Sequence, residues 1–438
     1  MTAPAHRNIT LEDALAEAEE RYVAANPNSR ARQAEAARHL PGANTRSVLF
    51  YAPFPVTMVR GEGARLFDLD GHAYVDFLGE YTAGLYGHSH PVIMAAIERA
   101  LKGGVTLGAP NVYEAELAAL ICGRFPSCGM VRFCNSGTEG NLNALNAARA
   151  FTGRTHILVF EGAYHGGMLS FDHGMSPVNI PFPYVFGRYN DLEHTLAQIE
   201  RHAHELAAIV VEPMMGAGGC IPGEPAFLQG LRDAATRHGI VLIFDEVMTS
   251  RLSPGGLQAR LGIIPDMTTF GKYLGGGMSF GAFGGRREIM RRFDPSQPDA
   301  FMHSGTYNNN VLSMAAGVAG LSEVFTADAA NALTERGETL KTRLNALGER
   351  HGVPVRVMGI GSILCVHFQR EPIRQPHDTE HTPSAARALF HLEMLARGFY
   401  VARRGFLALS LPLTDQDYDA FVSAFEDFLT VNGPVLSI

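Results

Sequence analysis

Four short apolar runs do most to constrain the fold of this 438-residue chain. They are Met130–Cys134, Thr155–Phe160, Leu206–Val211 and Ile240–Phe244. Mainly apolar and without alternation, they have the pattern of parallel strands buried on both faces. Helical patterns separate them between about residues 90 and 325, and strands alternating with helices predict a doubly wound α/β sheet. Polar or glycine-rich residues follow each run: Asn135-Ser136-Gly137-Thr138-Glu139, Glu161-Gly162-Ala163-Tyr164-His165-Gly166, Glu212-Pro213 and Asp245-Glu246. Open α/β sheets bind ligands outside the carboxyl ends of their strands. Four strands delivering ligand-type residues to one edge therefore predict a site there.

The chain is too long for one ordinary core, so a large domain plus a smaller one is expected. Thr10 can cap a helix from Leu11 to about Ala25, and a second helix is expected over Arg30–Leu40, ended by Pro41-Gly42-Ala43-Asn44. Strand-like pieces follow at Val56–Arg60 and Ala64–Asp68, before the Asp70-Gly71 turn. Beyond residue 325 come a long charged helix (Ala329–His351), strands at Val355–Met358, Ser362–Phe368 and Phe406–Leu411, and a final helix, Asp415–Leu429, capped by Thr414. The expected division is 1–75 for N-terminal helices and a β-rich part of the small domain, 76–325 for the large domain, and 326–438 for the C-terminal small domain.

Composition narrows the function. A net charge of −8 without a basic stripe argues against nucleic acid or an anionic membrane as partner. Five cysteines, none at C-x2-C spacing, read as small apolar filler in a reducing compartment. His88 and His90 lack a third ligand at suitable spacing, so a turn is expected there and no metal site. The N-terminus carries no signal-peptide core and no run approaches a bilayer span, which makes the cytoplasm the expected location. No G-x-G-x-x-G follows a first strand, which disfavours a dinucleotide enzyme.

The strongest chemical signal is Lys272, 27 residues after Asp245, in Thr268-Thr269-Phe270-Gly271-Lys272-Tyr273-Leu274-Gly275-Gly276-Gly277. A lysine amine can form a Schiff base with a cofactor aldehyde, and a strand-end aspartate can keep a pyridine nitrogen protonated. The pair suits pyridoxal 5'-phosphate (PLP). Against it, lysines beside glycines are usually solvated and strand-end acids often cap helices. Ser136-Gly137-Thr138, between a strand and the helical run Glu139–Phe151, suits a phosphate or a plain helix cap. Tyr164 can stack on a flat heterocycle or be a half-buried turn residue. His303–Asn310 offers further phosphate donors or a capped start to the helix Val311–Ala319.

In order, these pieces resemble class III aminotransferases of PLP fold type I, over roughly residues 35–435. Gly61-Glu62-Gly63-Ala64-Arg65-Leu66-Phe67-Asp68-Leu69-Asp70-Gly71 and Gly87-His88-Ser89-His90-Pro91 are similar to the family's N-terminal signature. Ser136-Gly137-Thr138-Glu139, Tyr164-His165-Gly166, Glu212-Pro213, Asp245-Glu246-Val247, Gly271-Lys272 and Gly305-Thr306 follow in the family's order. The resemblance implies a large domain with a mostly parallel doubly wound sheet, plus a smaller α/β domain built from both termini. It makes Lys272 the Schiff-base lysine and proton carrier, Asp245 the partner of the pyridinium nitrogen, and Tyr164 the residue stacked on the ring. Ser136, Gly137 and Thr138 would hold the phosphate, joined by Thr306 from the neighbouring subunit in a homodimer with shared active sites. Ping-pong transamination between an amino donor and a 2-oxo acid would follow. Glu212 receives no role.

Within the family, Pro41–Pro55 and Arg404-Gly405-Phe406 resemble aromatic β-amino acid (β-phenylalanine) aminotransferases. A guanidinium fork binds a carboxylate through two parallel hydrogen bonds. Arg46 is accordingly expected to hold the carboxylate of the β-amino acid. Arg404 is expected to hold the α-carboxylate of an acceptor such as 2-oxoglutarate and to swing away for the aromatic ring. Either arginine could instead be a surface residue. The alternatives are glutamate-1-semialdehyde 2,1-aminomutase, a PLP racemase, and a catalytically silent PLP-binding protein.

Overall fold

The computed structural model describes residues 10–172 and 174–436; the opening segment Met1–Asn8, where no signal-peptide core is expected, lies outside them. A seven-stranded sheet forms the centre. Its spatial order is Met130–Cys134, Gly281–Gly285, Met267–Gly271, Val241–Asp245, Leu206–Val211, His156–Phe160 and Tyr184–Gly187. Gly281–Gly285 runs antiparallel to both neighbours, and the remaining pairs are parallel. This is the α/β sheet that the strand–helix alternation predicts.

One of the four apolar runs departs from expectation. Met130–Cys134 is the sheet's edge strand, carries Arg132, and buries only Cys134 fully. An edge strand has solvent on one side and can carry a long charged side chain that an inner strand cannot. Three strands of this sheet escape a reading by apolar runs: Tyr184–Gly187, Met267–Gly271 and Gly281–Gly285. The last is the instructive miss, since Gly-Ala-Phe-Gly-Gly has little β propensity. Packing dictates its glycines: a Cβ on Gly281 would lie 2.0 Å from the Ser136 carbonyl oxygen, and one on Gly285 2.4 Å from that of Asp266.

The two ends of the chain meet in one layer. A four-stranded sheet joins Met58–Glu62, Arg65–Asp68 and Ala73–Asp76 to Phe399–Tyr400 from the C-terminal part. A second, three-stranded sheet holds Val355–Ile360, Ile363–Phe368 and Phe406–Ala408. Thr10 and Asp13 form a reciprocal capping box on the helix Leu11–Ala25, which packs against Ser384–Ala396. The next helix is Pro27–Ala36, displaced toward the N-terminus because Pro27 occupies its first turn, where a missing N–H costs nothing. Thr414 and Asp417 cap the last helix as expected, but it continues to Leu436.

Candidate active site

The carboxyl ends of the sheet strands bring the expected residues together. Asp245 closes the central strand, and three donors or ring nitrogens fix its carboxylate. Oδ2 accepts from Asn141 Nδ2 at 2.8 Å and faces His165 Nδ1 at 2.8 Å, while Oδ1 accepts from the Val247 amide at 3.0 Å. Asn141 is itself held, accepting from Thr269 Oγ1 at 2.8 Å. Burial draws the His165 pKa down, but the hydrogen bond to Asp245 and its charge outweigh that, so the net shift is upward. The pair is therefore built as a carboxylate backed by an imidazole that favours its charged form.

Lys272 follows the strand Met267–Gly271 with φ of +55°, an unusual backbone for a long side chain and a form of strain that gathers at functional sites. Burial, then the charge of Arg46, depresses its amine to a pKa of about 8; Glu80 and Asp245 oppose this and Arg404 adds to it. A lysine so placed has a substantial neutral fraction near physiological pH, as a base requires.

Ser136 caps the helix Gly137–Thr152, its hydroxyl accepting from the Glu139 amide at 3.2 Å. The amides at residues 137 and 138 belong to the first turn, whose N–H groups have no partner inside the helix. The surrounding loops are in contact. A Cβ on Gly137 would meet Val247 Cγ2 at 2.9 Å, one on Gly271 would meet Val247 Cγ1 at 3.2 Å, and one on Gly166 would meet Thr138 Oγ1 at 2.1 Å. The resulting cradle has an anion-binding helix end, a fixed carboxylate, a depressed lysine and an apolar wall at Val247. That donor set suits PLP, which has a phosphate, a ring nitrogen, an aldehyde and a flat face.

Tyr164 lies at this rim, 46% exposed, with its amide donating to Glu212 Oε1 at 3.1 Å. Glu212 Oε2 accepts from the Gly216 amide at 2.9 Å. Glu212, left without a role by its sequence context, thus braces two loops beside the cradle. Burial first, with Asp245 adding to it against the charge of His165, pushes its carboxyl up to about 7.

Arg46 and Arg404, 358 positions apart in sequence, are brought to the same ring. Their guanidinium carbons lie 5.6 and 5.2 Å from the centroid of Tyr81, and Arg404 also lies 5.2 Å from Phe406. Arg46 additionally pairs with Glu80. Glu80, Tyr81 and Thr82 all have positive φ, at 47°, 50° and 83°. Asp76 holds this turn by accepting from the Leu78 and Gly79 amides at 2.8 and 2.9 Å, and His88 Nε2 lies 2.9 Å from the other Asp76 oxygen. The fully buried Arg251 donates to the Thr82 carbonyl at 3.2 Å. The sequence reading had no signal for Glu80 or Tyr81, because positive φ at non-glycine residues is not legible. Asn141 was findable: it stands one helical turn beyond Gly137, on the same face.

Thr306 is exposed, and among the described residues no hydrogen bond joins it to the cradle. Two residues on, Asn308 Oδ1 accepts from Asn135 Nδ2 at 3.1 Å, which ties the segment to the strand end before Ser136.

Residues 50–429 match the class-III aminotransferase family. The chain is a class III aminotransferase. Enzymes of this family use PLP. The aminotransferase is 54% identical over 430 residues to β-phenylalanine transaminase of Variovorax paradoxus, covering 98% of this chain and 99% of that one. Its fold superposes with a TM-score of 0.96 on a crystal structure of a β-phenylalanine aminotransferase from Variovorax paradoxus, at 53% identity and with 97% and 99% of the two chains covered. It is 36% identical to glutamate-1-semialdehyde 2,1-aminomutase 2 of Brevibacillus brevis, over 89% of this chain and 95% of that one. The β-amino acid branch is thus nearer in sequence than the aminomutase branch.

Proposed function

We propose that this aminotransferase moves the amino group of an aromatic β-amino acid of the β-phenylalanine type to a 2-oxo acid such as 2-oxoglutarate. The observation that carries the proposal is the meeting of Arg46 and Arg404 over Tyr81, both within electrostatic reach of the Lys272 amine. The 54% identity to a β-phenylalanine transaminase supports the same substrate class.

Lys272, Asp245, Tyr164 and the Ser136–Thr138 turn would hold PLP, with Thr306 supplied by a second subunit. Bound there, the cofactor supplies an electron sink that acidifies the substrate C–H bond beside the nitrogen. Nζ of Lys272 takes that proton and returns it, which its depressed pKa permits. Asp245, held by Asn141 and Val247 and backed by His165, keeps a proton on the ring nitrogen. Arg46 grips the carboxylate of the β-amino acid, and Arg404 that of the 2-oxo acid.

Truncation of Arg404 separates the two half-reactions. Arg404→Ala is expected to raise KM for 2-oxoglutarate by about 10- to 100-fold, the worth of a lost charged hydrogen-bond pair. The single-turnover rate with β-phenylalanine should change by less than about threefold, because that ring needs no guanidinium. Unaltered 2-oxoglutarate kinetics would remove Arg404 from this role.

The second subunit is proposed from the surface. Met302 is 92% exposed, Val112 81% and Tyr307 59%. The two segments carrying them adjoin, since Asn111 Nδ2 donates to the Asn309 carbonyl at 2.8 Å. Adjoining exposed apolar side chains on this scale mark an interaction face, and a second copy would bring its own Thr306 toward the cradle. Sedimentation is expected to give a dimer, with Met302→Asp shifting it to monomers that retain less PLP. A monomeric wild-type enzyme that keeps its cofactor would contradict this assembly.

A further inference from the structure

We propose that Glu80 sets how tightly the enzyme holds a substrate carboxylate, by occupying one edge of the Arg46 guanidinium and competing for its charge. The inference rests on the reading of Arg46 as the carboxylate subsite.

The two arginines over Tyr81 are not equivalent. Arg46 is paired with Glu80 through its NH1 group, whereas among the described residues no carboxylate pairs with Arg404. Only one edge of the Arg46 fork is taken, and a planar guanidinium presents donors on two edges. A substrate carboxylate can therefore dock on Arg46 while Glu80 stays, but it meets a charge already half answered.

Glu80 is not an idle surface acid. It stands in a run of three consecutive non-glycine residues with positive φ, a conformation that persists only where the surroundings enforce it. Asp76 grips the Leu78 and Gly79 amides and Arg251 the Thr82 carbonyl, while His88 holds the other Asp76 oxygen. The same turn places Tyr81 within 5.6 Å of both guanidinium carbons. One structural device thus fixes the aromatic shelf and the carboxylate that tempers Arg46.

The chemistry of a two-substrate site gives this a purpose. The acceptor carries two carboxylates, and the donor carries one carboxylate and a ring. Two uncompensated arginines would favour the dianion and its amino acid product so strongly that release would slow and the ring would be disfavoured. With Arg46 tempered, every carboxylate bound there is held less tightly and leaves faster.

The test uses the PLP-loaded enzyme and 3-phenylpropanoate, which has the carboxylate and ring but no amine to react. By calorimetry, Glu80→Gln is expected to lower its Kd by about threefold, the scale of a half-exposed ion pair. KM for 2-oxoglutarate, whose second carboxylate would meet Arg46 while Arg404 holds the first, should fall in parallel without a gain in kcat. The pH profile offers a second readout. The charged groups facing the Lys272 amine are Arg46, Glu80, Asp245 and Arg404, and Glu80 is one of the two that raise its pKa. Removing that negative charge favours the neutral amine that substrate frees, so the rise of the single-turnover rate at saturating β-phenylalanine should move to lower pH. Glu80→Asp, which keeps the charge, should retain the parental Kd and profile.

A purely structural Glu80 would behave differently: Glu80→Gln would loosen the turn, lower Tm, weaken binding and leave the pH profile in place. That result, with Arg46→Ala abolishing 3-phenylpropanoate binding, overturns the role of Glu80 and leaves Arg46 standing. If Arg46→Ala binds 3-phenylpropanoate as the parent does, the carboxylate subsite is wrong and the inference falls with it.

Discussion

Lys272→Ala is expected to lower kcat in both half-reactions by at least about 10⁴-fold, the upper range for loss of a positioned acid–base group. Both proton transfers are assigned to this one amine, so no second residue covers for it. Stability should not fall, because an amine depressed to about 8 mainly by burial is a group the fold holds at a cost. An unchanged or raised Tm beside a collapsed rate would mark strain and desolvation kept for function. Single-turnover absorbance with β-phenylalanine gives the rate, and added ethylamine should restore a small part of it. In the parent enzyme the single-turnover rate at saturating β-phenylalanine should rise as pH increases through about 8, since substrate has then freed Lys272, the base is the neutral amine, and a higher pH populates it. A variant within tenfold of the parent would exclude Lys272 as the proton carrier.

Asp245→Asn carries the second largest effect, an expected loss of about 10³-fold in kcat, as for removal of one preorganised charge from a site. The substitution keeps the volume and the Val247 contact but sets an amide against Asn141 Nδ2 and cancels the charge that would hold the ring nitrogen's proton. His165 reports the change independently. Its pKa is raised by Asp245 against the effect of burial, so in the variant it should fall, which NMR of the imidazole can follow. The linkage has a definite sign. A histidine with a raised folded pKa adds stability below its unfolded value of about 6.5, and that stability is lost as pH climbs through the folded value. The parent should therefore lose more Tm than Asp245→Asn between pH 6 and pH 8. Equal pH dependence of the two proteins, with activity within tenfold, would detach Asp245 from both roles.

The fold was legible where burial leaves a continuous apolar trace. The apolar run Leu206–Val211 coincides with its strand, and the runs Thr155–Phe160 and Ile240–Phe244 lie within one residue of the strands His156–Phe160 and Val241–Asp245. Gly281–Gly285 was not legible, because its residues answer to close backbone approach and not to hydrophobicity. The site divided along similar lines. Residues at strand ends, such as Asp245, and beside glycine turns, such as Lys272, announce themselves through position. Glu80 and Tyr81 do not, since their placement depends on a positive-φ turn enforced by Asp76, His88 and Arg251 from distant parts of the chain. The sequence context of His88 predicts a turn but not its partner, Asp76, whose carboxylate lies 2.9 Å from His88 Nε2.

The central claim is ping-pong transamination of an aromatic β-amino acid, and the most direct test is the absorbance spectrum of the PLP-loaded enzyme with β-phenylalanine and no oxo acid. The pyridoxal band is expected to give way to the pyridoxamine band, and 2-oxoglutarate to reverse the change. A spectrum that β-phenylalanine leaves untouched, in an enzyme that responds to glutamate-1-semialdehyde, would contradict it.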